Sequence, residues 1–292
     1  MTDNQTPDER RKLARRTVLA AGSVALTAAG VGSAFAAGSP GSSGRDADGG
    51  AAEDACYALT SELVEGPYYI DADKIRQDVT EDQEGIPLDL RLKVIDAESC
   101  RPLPNAAVDI WHCNASGVYS GYEEMGSGGG GPTGPPPSGT PTDTPTGPPP
   151  GGGGGHQEPT DDKRYLRGTW RTDRHGQVAF RTVFPGWYQG RCVHIHVKVH
   201  VDGTWTDAGY EGGRTCHTGQ LFFDEKSVLL TYDEEPYASN TTTRTTLDED
   251  TIYPDNGHEG GLLYLRYDRR HIARGVHARL TLGVVPDETH DG

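Results

Sequence analysis

The stretch that decides the fold runs from Val193 to Val201 and reads V-H-I-H-V-K-V-H-V. Valine and isoleucine alternate with histidine and lysine along the whole stretch. This period of two is typical of a β-strand, because successive side chains of a strand point to opposite faces. The pattern therefore predicts a strand with one apolar face and one polar face.

The rest of the domain has the same character. Leu88–Val94 and Val276–Val285 also alternate apolar with polar or small residues, and Pro185-Gly186 marks a turn. Helical periodicity is weak throughout. Further strands are predicted at Ala107–Trp111, Gln177–Val183, Leu221–Phe223 and Leu262–Tyr267. Many short strands separated by turns predict an all-β fold with an antiparallel β-sandwich core and long loops.

Composition divides the chain into regions. The 292 residues include 40 glycines and 20 prolines, and much of this excess lies in one insert at 126–157. Such a composition predicts disorder, and a tolerated surface insertion fits it better than a functional lid. A Gly/Ser-rich stretch predicts a flexible linker at 37–55. One β-sandwich domain is therefore predicted over 56–292, interrupted by the insert.

Residues 1–36 have the features of an export signal. Arg15-Arg16 precedes an uncharged stretch that ends in Ala34-Phe35-Ala36, a small-x-small cleavage pattern. We expect a twin-arginine-type signal peptide, an extracellular or cell-envelope location, and no stable membrane insertion after cleavage. A generic secretory signal, or a basic helix that stays attached, remains an alternative.

The charge balance bears on partners. The formal net charge is −16, and no cluster of lysine and arginine stands out beyond the N-terminus. We expect no nucleic-acid partner, since neutralising phosphates requires clustered cations. The acidic runs Asp161-Asp162, Asp233–Glu235 and Asp248–Asp250 lack EF-hand spacing and are interpreted as solvated loops.

Four side chains suggest a metal site. His194 and His196 share one face of the predicted strand, which suits two imidazoles on one ion. This pattern is weak alone, because histidines on a polar strand face are usually solvated, as we expect for His200. Tyr188 lies just upstream, and Tyr119 ends the stretch that begins at Asp109. Two phenols and two imidazoles favour ferric iron over zinc.

At this point the sequence resembles a known family, the intradiol ring-cleavage dioxygenases, which include catechol 1,2-dioxygenase and protocatechuate 3,4-dioxygenase. The resemblance covers most of residues 56–287. Five motifs carry it: Glu65–Tyr69, Asp109–Tyr119, Arg167-Gly168, Phe184–His196 and Thr218–Phe223.

The resemblance implies roles for individual residues. It implies that one non-haem Fe(III) per chain is held by four side chains: Tyr119, Tyr188, His194 and His196. Tyr188 would be the ligand that leaves when the substrate chelates the metal. The resemblance also places Arg191 and Gln220 beside the substrate. Tyr68 and Tyr69 are candidates to line the substrate pocket, with packing as the alternative role.

The implied reaction cleaves a catechol-type ring between its two hydroxyls with O2 and gives a muconate-type diacid. Two other functions stay open: a secreted zinc- or copper-dependent enzyme that uses the histidine pair, and a non-catalytic secreted β-sandwich binding module. The substrate would be a small catechol together with O2. No N-terminal helical dimerisation segment is evident, so a homo-oligomer is left open.

The five cysteines allow up to two disulfides in an oxidising compartment, and their connectivity is open. Cys113 and Cys192 flank the metal-binding motifs of the family. Either a disulfide between them braces the site or both are buried thiols.

Overall fold

The computed structural model describes residues 59–71, 74–127, 157–253 and 261–290. The predicted signal peptide (1–36) and linker (37–55) lie outside the described residues, as does all but the ends of the insert at 126–157. Within the described ranges no helix has the length and apolar character needed to cross a bilayer.

Over the described residues the domain contains ten strands, one short α-helix and three 3-10 turns. The strands are β1 Pro87–Asp96, β2 Ala107–Trp111, β3 Arg167–Arg171, β4 Gln177–Val183, β5 His194–Val201, β6 Thr204–Trp205, β7 Tyr210–Glu211, β8 Arg214–Phe222, β9 Tyr264–Tyr267 and β10 Val276–Val284. Helix α1 spans Glu225–Thr231, and the 3-10 turns span Glu123–Met125, Tyr237–Ser239 and Ile272–Arg274. The all-β prediction is confirmed.

Two four-stranded sheets form the sandwich, with strand orders β4-β1-β10-β9 and β3-β2-β5-β8, and β6-β7 is a separate hairpin. The second sheet is antiparallel, as predicted. In the first sheet β1 runs parallel to β10. These two strands come from opposite ends of the domain, so no hairpin turn imposes an antiparallel pairing on them.

The predicted alternation of apolar and polar residues identifies the side chains that form the core. Along β1 every second residue is buried, from Leu88 to Val94. Ile195, Val197 and Val199 of β5 meet them from the opposite sheet in one apolar cluster. Full burial of such a side chain contributes about 1.5–3 kcal/mol. The apolar face of the Val193–Val201 stretch is therefore the inner face of its sheet.

The polar face of β5 is buried as well. His194, His196 and Lys198 are only 2%, 3% and 5% exposed. The loop at 59–71 covers this face: Leu63 N donates to Thr218 O (2.9 Å), and Lys198 forms an ion pair with Glu65. The polar side chains of β5 are thus covered by this loop, although the polar face of a strand is usually solvated.

The outer face of the β4-β1-β10-β9 sheet is basic. Arg91 on β1 lies opposite Arg279 on β10, and exposed Lys93 and Arg266 lie on the same face. The prediction that cations do not cluster beyond the N-terminus is therefore wrong. Strand alternation and pairing bring together cations that are far apart in the sequence.

Candidate metal centre

Four side chains meet on the covered face of β5, and we name them the Tyr–His cluster: Tyr119, Tyr188, His194 and His196. The Nε2 atoms of the two histidines are 3.1 Å apart. The Tyr188 hydroxyl lies 3.4 Å from His194 Nε2. The Tyr119 ring lies 5.8 Å from the Tyr188 ring and 6.1 Å from the His196 ring, centroid to centroid. The structure therefore brings together all four predicted ligands.

Two loops deliver the tyrosines, and they touch each other. One follows β2 and is shaped by Asn114, whose side-chain oxygen accepts from the N–H groups of Ser116 and Val118 (3.0 Å each). The other precedes β5, and its Gly186 N donates to Asn114 O (3.1 Å). Gly117 has φ = +82°, and a Cβ there would lie 2.2 Å from the Trp187 carbonyl oxygen. Glycine is needed where these loops meet.

The polar atoms of the cluster fit a bound cation. His194 Nδ1 donates to Cys192 O (2.7 Å), which leaves its Nε2 as a lone-pair donor facing the cluster. The hydroxyl of Tyr119 and the Nδ1 of His196 are buried without a hydrogen-bond partner. Buried polar atoms are normally satisfied, so an ion shared by these side chains accounts for the Tyr119 hydroxyl. Two phenol oxygens and two imidazole nitrogens suit Fe(III).

The ring of His196 is fixed by packing. It stacks on Trp111 with centroids 4.8 Å apart and an interplanar angle of 9°. Trp111 lies opposite His196 in the pairing of β2 with β5. Stacking in this register holds the plane of the imidazole and aims its Nε2 at His194.

Burial keeps the cluster neutral when no cation is bound. It lowers the pKa of His194 to about 3, with the nearby Arg191 guanidinium adding to the effect, and it lowers the pKa of His196 as well. Burial also raises the pKa of both tyrosines, and Arg191 opposes part of this rise. Neutral imidazoles are the form that binds metals.

Arg191 lies at the edge of the cluster and is held at two points. Its Nε donates to Asp250 Oδ2 (2.9 Å) and its Nη2 to Gln220 Oε1 (2.5 Å). Gln220 is opposite His196 in the pairing of β5 with β8, and its Nε2 donates to Val64 O (3.0 Å). The structure therefore places Arg191 and Gln220 together, beside the predicted ligands.

Comparisons with known proteins agree with this geometry. A family model described as Dioxygenase matches residues 64–128. Catechol 1,2-dioxygenase of Acinetobacter baylyi is 28% identical over 178 residues, which cover 52% of this chain and 46% of that protein. The structure of an intradiol ring-cleavage dioxygenase from Tetranychus urticae superposes with a TM-score of 0.63 at 29% identity, covering 80% of this chain and 98% of that one.

This chain is similar in sequence and in fold to intradiol ring-cleavage dioxygenases. The resemblance deduced from the sequence motifs is confirmed. The alignment spans about half the length of the curated relative.

The two candidate pocket tyrosines separate in the structure. Tyr68 stacks on Tyr119 with centroids 4.8 Å apart, so it borders the Tyr–His cluster. Tyr69 points away from it, because neighbouring residues of an extended segment face opposite sides. Its hydroxyl donates to Asp109 (3.0 Å) and its ring packs edge-on against Trp111. Tyr68 is therefore the better candidate to contact a substrate.

Sequence reasoning missed Arg167 as a positioning group. Its guanidinium is buried and donates to Ser120 O (2.8 Å), Ser120 Oγ (2.9 Å) and Tyr68 O (2.7 Å). It thereby joins the loop that carries Tyr119 to the loop that carries Tyr68. Burial lowers its pKa to about 10. The Arg167-Gly168 motif was visible, but this bridging role depends on contacts across the fold.

The interpretation of Asp250 is wrong, and that of His200 holds only in part, because its side chain is 18% exposed. Asp250, expected in a solvated loop, is 3% exposed and accepts from Arg191. His200, expected to be solvated, lies 3.1 Å from Asp109 Oδ2 through its Nε2 and 3.1 Å from Thr215 Oγ1 through its Nδ1. Both residues meet partners from distant segments, so their single-sequence context carried no sign of the contact.

The cysteine alternatives are resolved. Cys113 and Cys192 are free and buried, as is Cys216, so no disulfide braces the site. Cys100 is disulfide-bonded. Burial raises the pKa of Cys113 to about 12, which keeps this thiol protonated and unreactive.

Proposed function

We propose that this chain is an exported dioxygenase that binds one non-haem Fe(III) and cleaves catechols between their two hydroxyls with O2, giving muconate-type diacids. Tyr119, Tyr188, His194 and His196 would hold the metal. The observation that carries the proposal is the meeting of these four side chains, with a buried and unpartnered Tyr119 hydroxyl among them. A ferric ion bound there withdraws electron density from a coordinated catechol and makes its ring reactive toward O2.

Tyr188 suits the role of the ligand that makes room for substrate. It is the partly exposed member of the cluster, whereas Tyr119, His194 and His196 are 2–3% exposed. In this role its Oη accepts a proton from a substrate hydroxyl as it leaves. Burial raises the pKa of Tyr188, so the released side chain keeps that proton at neutral pH.

Arg191 supplies a fixed positive charge beside the reacting ring. Its guanidinium stabilises negative charge that develops on the substrate, and Gln220 restricts its position. Preorganised donors of this kind typically change turnover by about 10²–10³-fold. Tyr68, stacked on Tyr119, would border the bound substrate.

The test is to load the purified protein with iron and to follow oxygen uptake with catechol. We expect one iron per chain, a visible tyrosinate-to-iron absorption band, and one O2 consumed for each catechol opened. Tyr188→Phe should weaken the band and lower turnover. Tyr264→Phe is the matched control, because this tyrosine is 60% exposed on another face.

Two results would overturn the proposal. A colourless protein that binds zinc or copper in preference to iron would favour the alternative of a zinc- or copper-dependent enzyme that uses the histidine pair. An iron-loaded protein that takes up no oxygen with any catechol would favour a binding module.

Export is a separate part of the proposal and rests on residues 1–36 alone. We expect N-terminal sequencing of the exported product to begin near residue 37. Replacing both Arg15 and Arg16 by lysine should retain the protein inside the cell, whereas an unchanged exported fraction would exclude the twin-arginine route.

A further inference from the structure

We propose that Asp250 is a positioning residue that fixes the guanidinium of Arg191 in its working orientation. This inference rests on the function proposed above. It assigns a role to a carboxylate that the sequence presents only as the third member of an acidic run, Asp248–Asp250.

The carboxylate of Asp250 is immobilised by four donors. Oδ2 accepts from Arg191 Nε (2.9 Å) and from the backbone N–H of Cys192 (2.7 Å). Oδ1 accepts from the N–H groups of Ile252 (2.8 Å) and Tyr253 (3.0 Å). The side chain is fully buried. A carboxylate with both oxygens engaged cannot rotate without losing bonds that buried groups need.

Arg191 in turn is held along two edges of its plane. Asp250 binds Nε, and Gln220 binds Nη2 through its Oε1. Since the guanidinium is planar and its donors have fixed directions, two anchors set the orientation of the whole group. Gln220 is itself tied to Val64 O, so both anchors are rigid.

The segment that ends at Asp250 lies along the loop that precedes β5. Trp187 Nε1 donates to Thr242 O (2.8 Å), and Gly190 N donates to Thr245 Oγ1 (3.1 Å). Asp250 adds the contacts at Arg191 and Cys192, just before His194. The segment thus lines the stretch of chain that carries Tyr188 and Arg191.

Positioning matters because a shift of about 1 Å in a catalytic group can lower turnover by about 10²-fold. Asp250→Asn keeps the shape of the side chain but replaces one acceptor oxygen by an NH2 donor. In either orientation of the amide, NH2 faces N–H donors, those of Arg191 and Cys192 or those of Ile252 and Tyr253, so the side chain can no longer satisfy all four and its hold on Arg191 is weakened. We therefore expect kcat to fall about 10²-fold while iron content and the visible band stay at the wild-type level. Asp248→Asn, which removes the same charge at an exposed site, should change kcat less than twofold.

A double variant separates positioning from general stability. If Asp250 acts through Arg191, then Asp250→Asn should add no further loss to Arg191→Gln. Multiplicative losses in the double variant, or a loss of iron in Asp250→Asn, would overturn the inference. Failure of the wild-type protein to consume oxygen with catechols would instead overturn the proposed function.

A second readout does not depend on activity. In the iron-free wild-type protein, the Arg191 Nε–H should give a resolved NMR resonance that exchanges slowly with solvent, since it is bonded to a buried carboxylate. Asp250→Asn should speed this exchange at least tenfold, and Asp248→Asn should leave it unchanged. An unchanged exchange rate in Asp250→Asn would overturn the inference whatever the activity.

Discussion

Single buried polar atoms mark the candidate metal centre. The unpartnered Tyr119 hydroxyl and the close His194 and His196 nitrogens make sense around a shared cation. The sequence predicted these ligands because they occur in motifs that resemble a known family. Asp250 could not be predicted, because its partner Arg191 is 59 positions away and reaches it only through the fold.

Arg191 can be tested separately from the metal. Because its contacts are with Asp250 and Gln220, Arg191→Ala should leave iron content unchanged. Turnover should fall by about 10²–10³-fold, as for other preorganised charges. Iron analysis checks the metal content, and oxygen uptake checks the turnover. Wild-type turnover in the variant would contradict the role assigned to Arg191.

Burial of His112 should make the free energy of unfolding sensitive to acid. The ring is fully buried, where Nδ1 lies 2.8 Å from Cys113 O and Nε2 lies 2.7 Å from Thr182 Oγ1. Burial lowers its pKa from 6.5 to about 4. Between these values the unfolded chain binds a proton that the folded protein does not. The free energy of unfolding should therefore fall by about 3 kcal/mol from pH 7 to pH 4.

The measurement is chemical denaturation across this pH range, compared with His112→Gln. The variant lacks the titrating group, so its stability should fall less steeply with acid by about the same amount. Parallel curves for the two proteins would contradict the assignment to His112.

At the scale of elements, two loops must touch for the ligands to meet. A Cβ on Gly186 would lie 2.1 Å from the Ala115 carbonyl oxygen. These are backbone atoms of adjoining loops, so a side chain can be accommodated only by separating the loops. Alternation within strands was predictable from the sequence, whereas this contact between loops was not, because glycine also occurs wherever a chain simply turns.

Gly186→Ala should therefore weaken both stability and iron binding. We expect the free energy of unfolding to fall by about 2 kcal/mol, in the range of overpacked sites. Gly190→Ala is the comparison, since a Cβ there meets no atom within 4 Å and adds only the strain of φ = +88°. Iron titration should show weaker binding for Gly186→Ala alone, and equal affinities would refute the steric argument.

At the scale of the whole molecule, the sandwich closes by pairing β1 with β10, the first and last strands of the domain. The insert interrupts the chain between β2 and β3. Its two flanks meet, because Tyr122 Oη donates to Gln157 O (2.7 Å) and Gln157 N donates to Pro67 O (3.1 Å). The architecture thus joins both sides of the insert without needing its length.

Replacing residues 128–156 by a short Gly/Ser linker should preserve the fold. A shorter loop loses less entropy on closure, so the free energy of unfolding should rise by about 1 kcal/mol. Denaturation curves and oxygen uptake of the two proteins provide the check. A shortened protein that unfolds more easily or loses iron would assign the insert a structural role.

The sequence by itself determined the all-β class, the inner faces of β1 and β5, and the four ligand candidates. These follow from period-two alternation and from motifs of adjacent residues, both of which are local. Only the tertiary structure decided that the polar face of β5 is covered, that Asp250 holds Arg191, and that β1 and β10 run parallel with Arg91 beside Arg279. Each of these depends on which distant segments pack together, and that choice is made by burial of the whole apolar core.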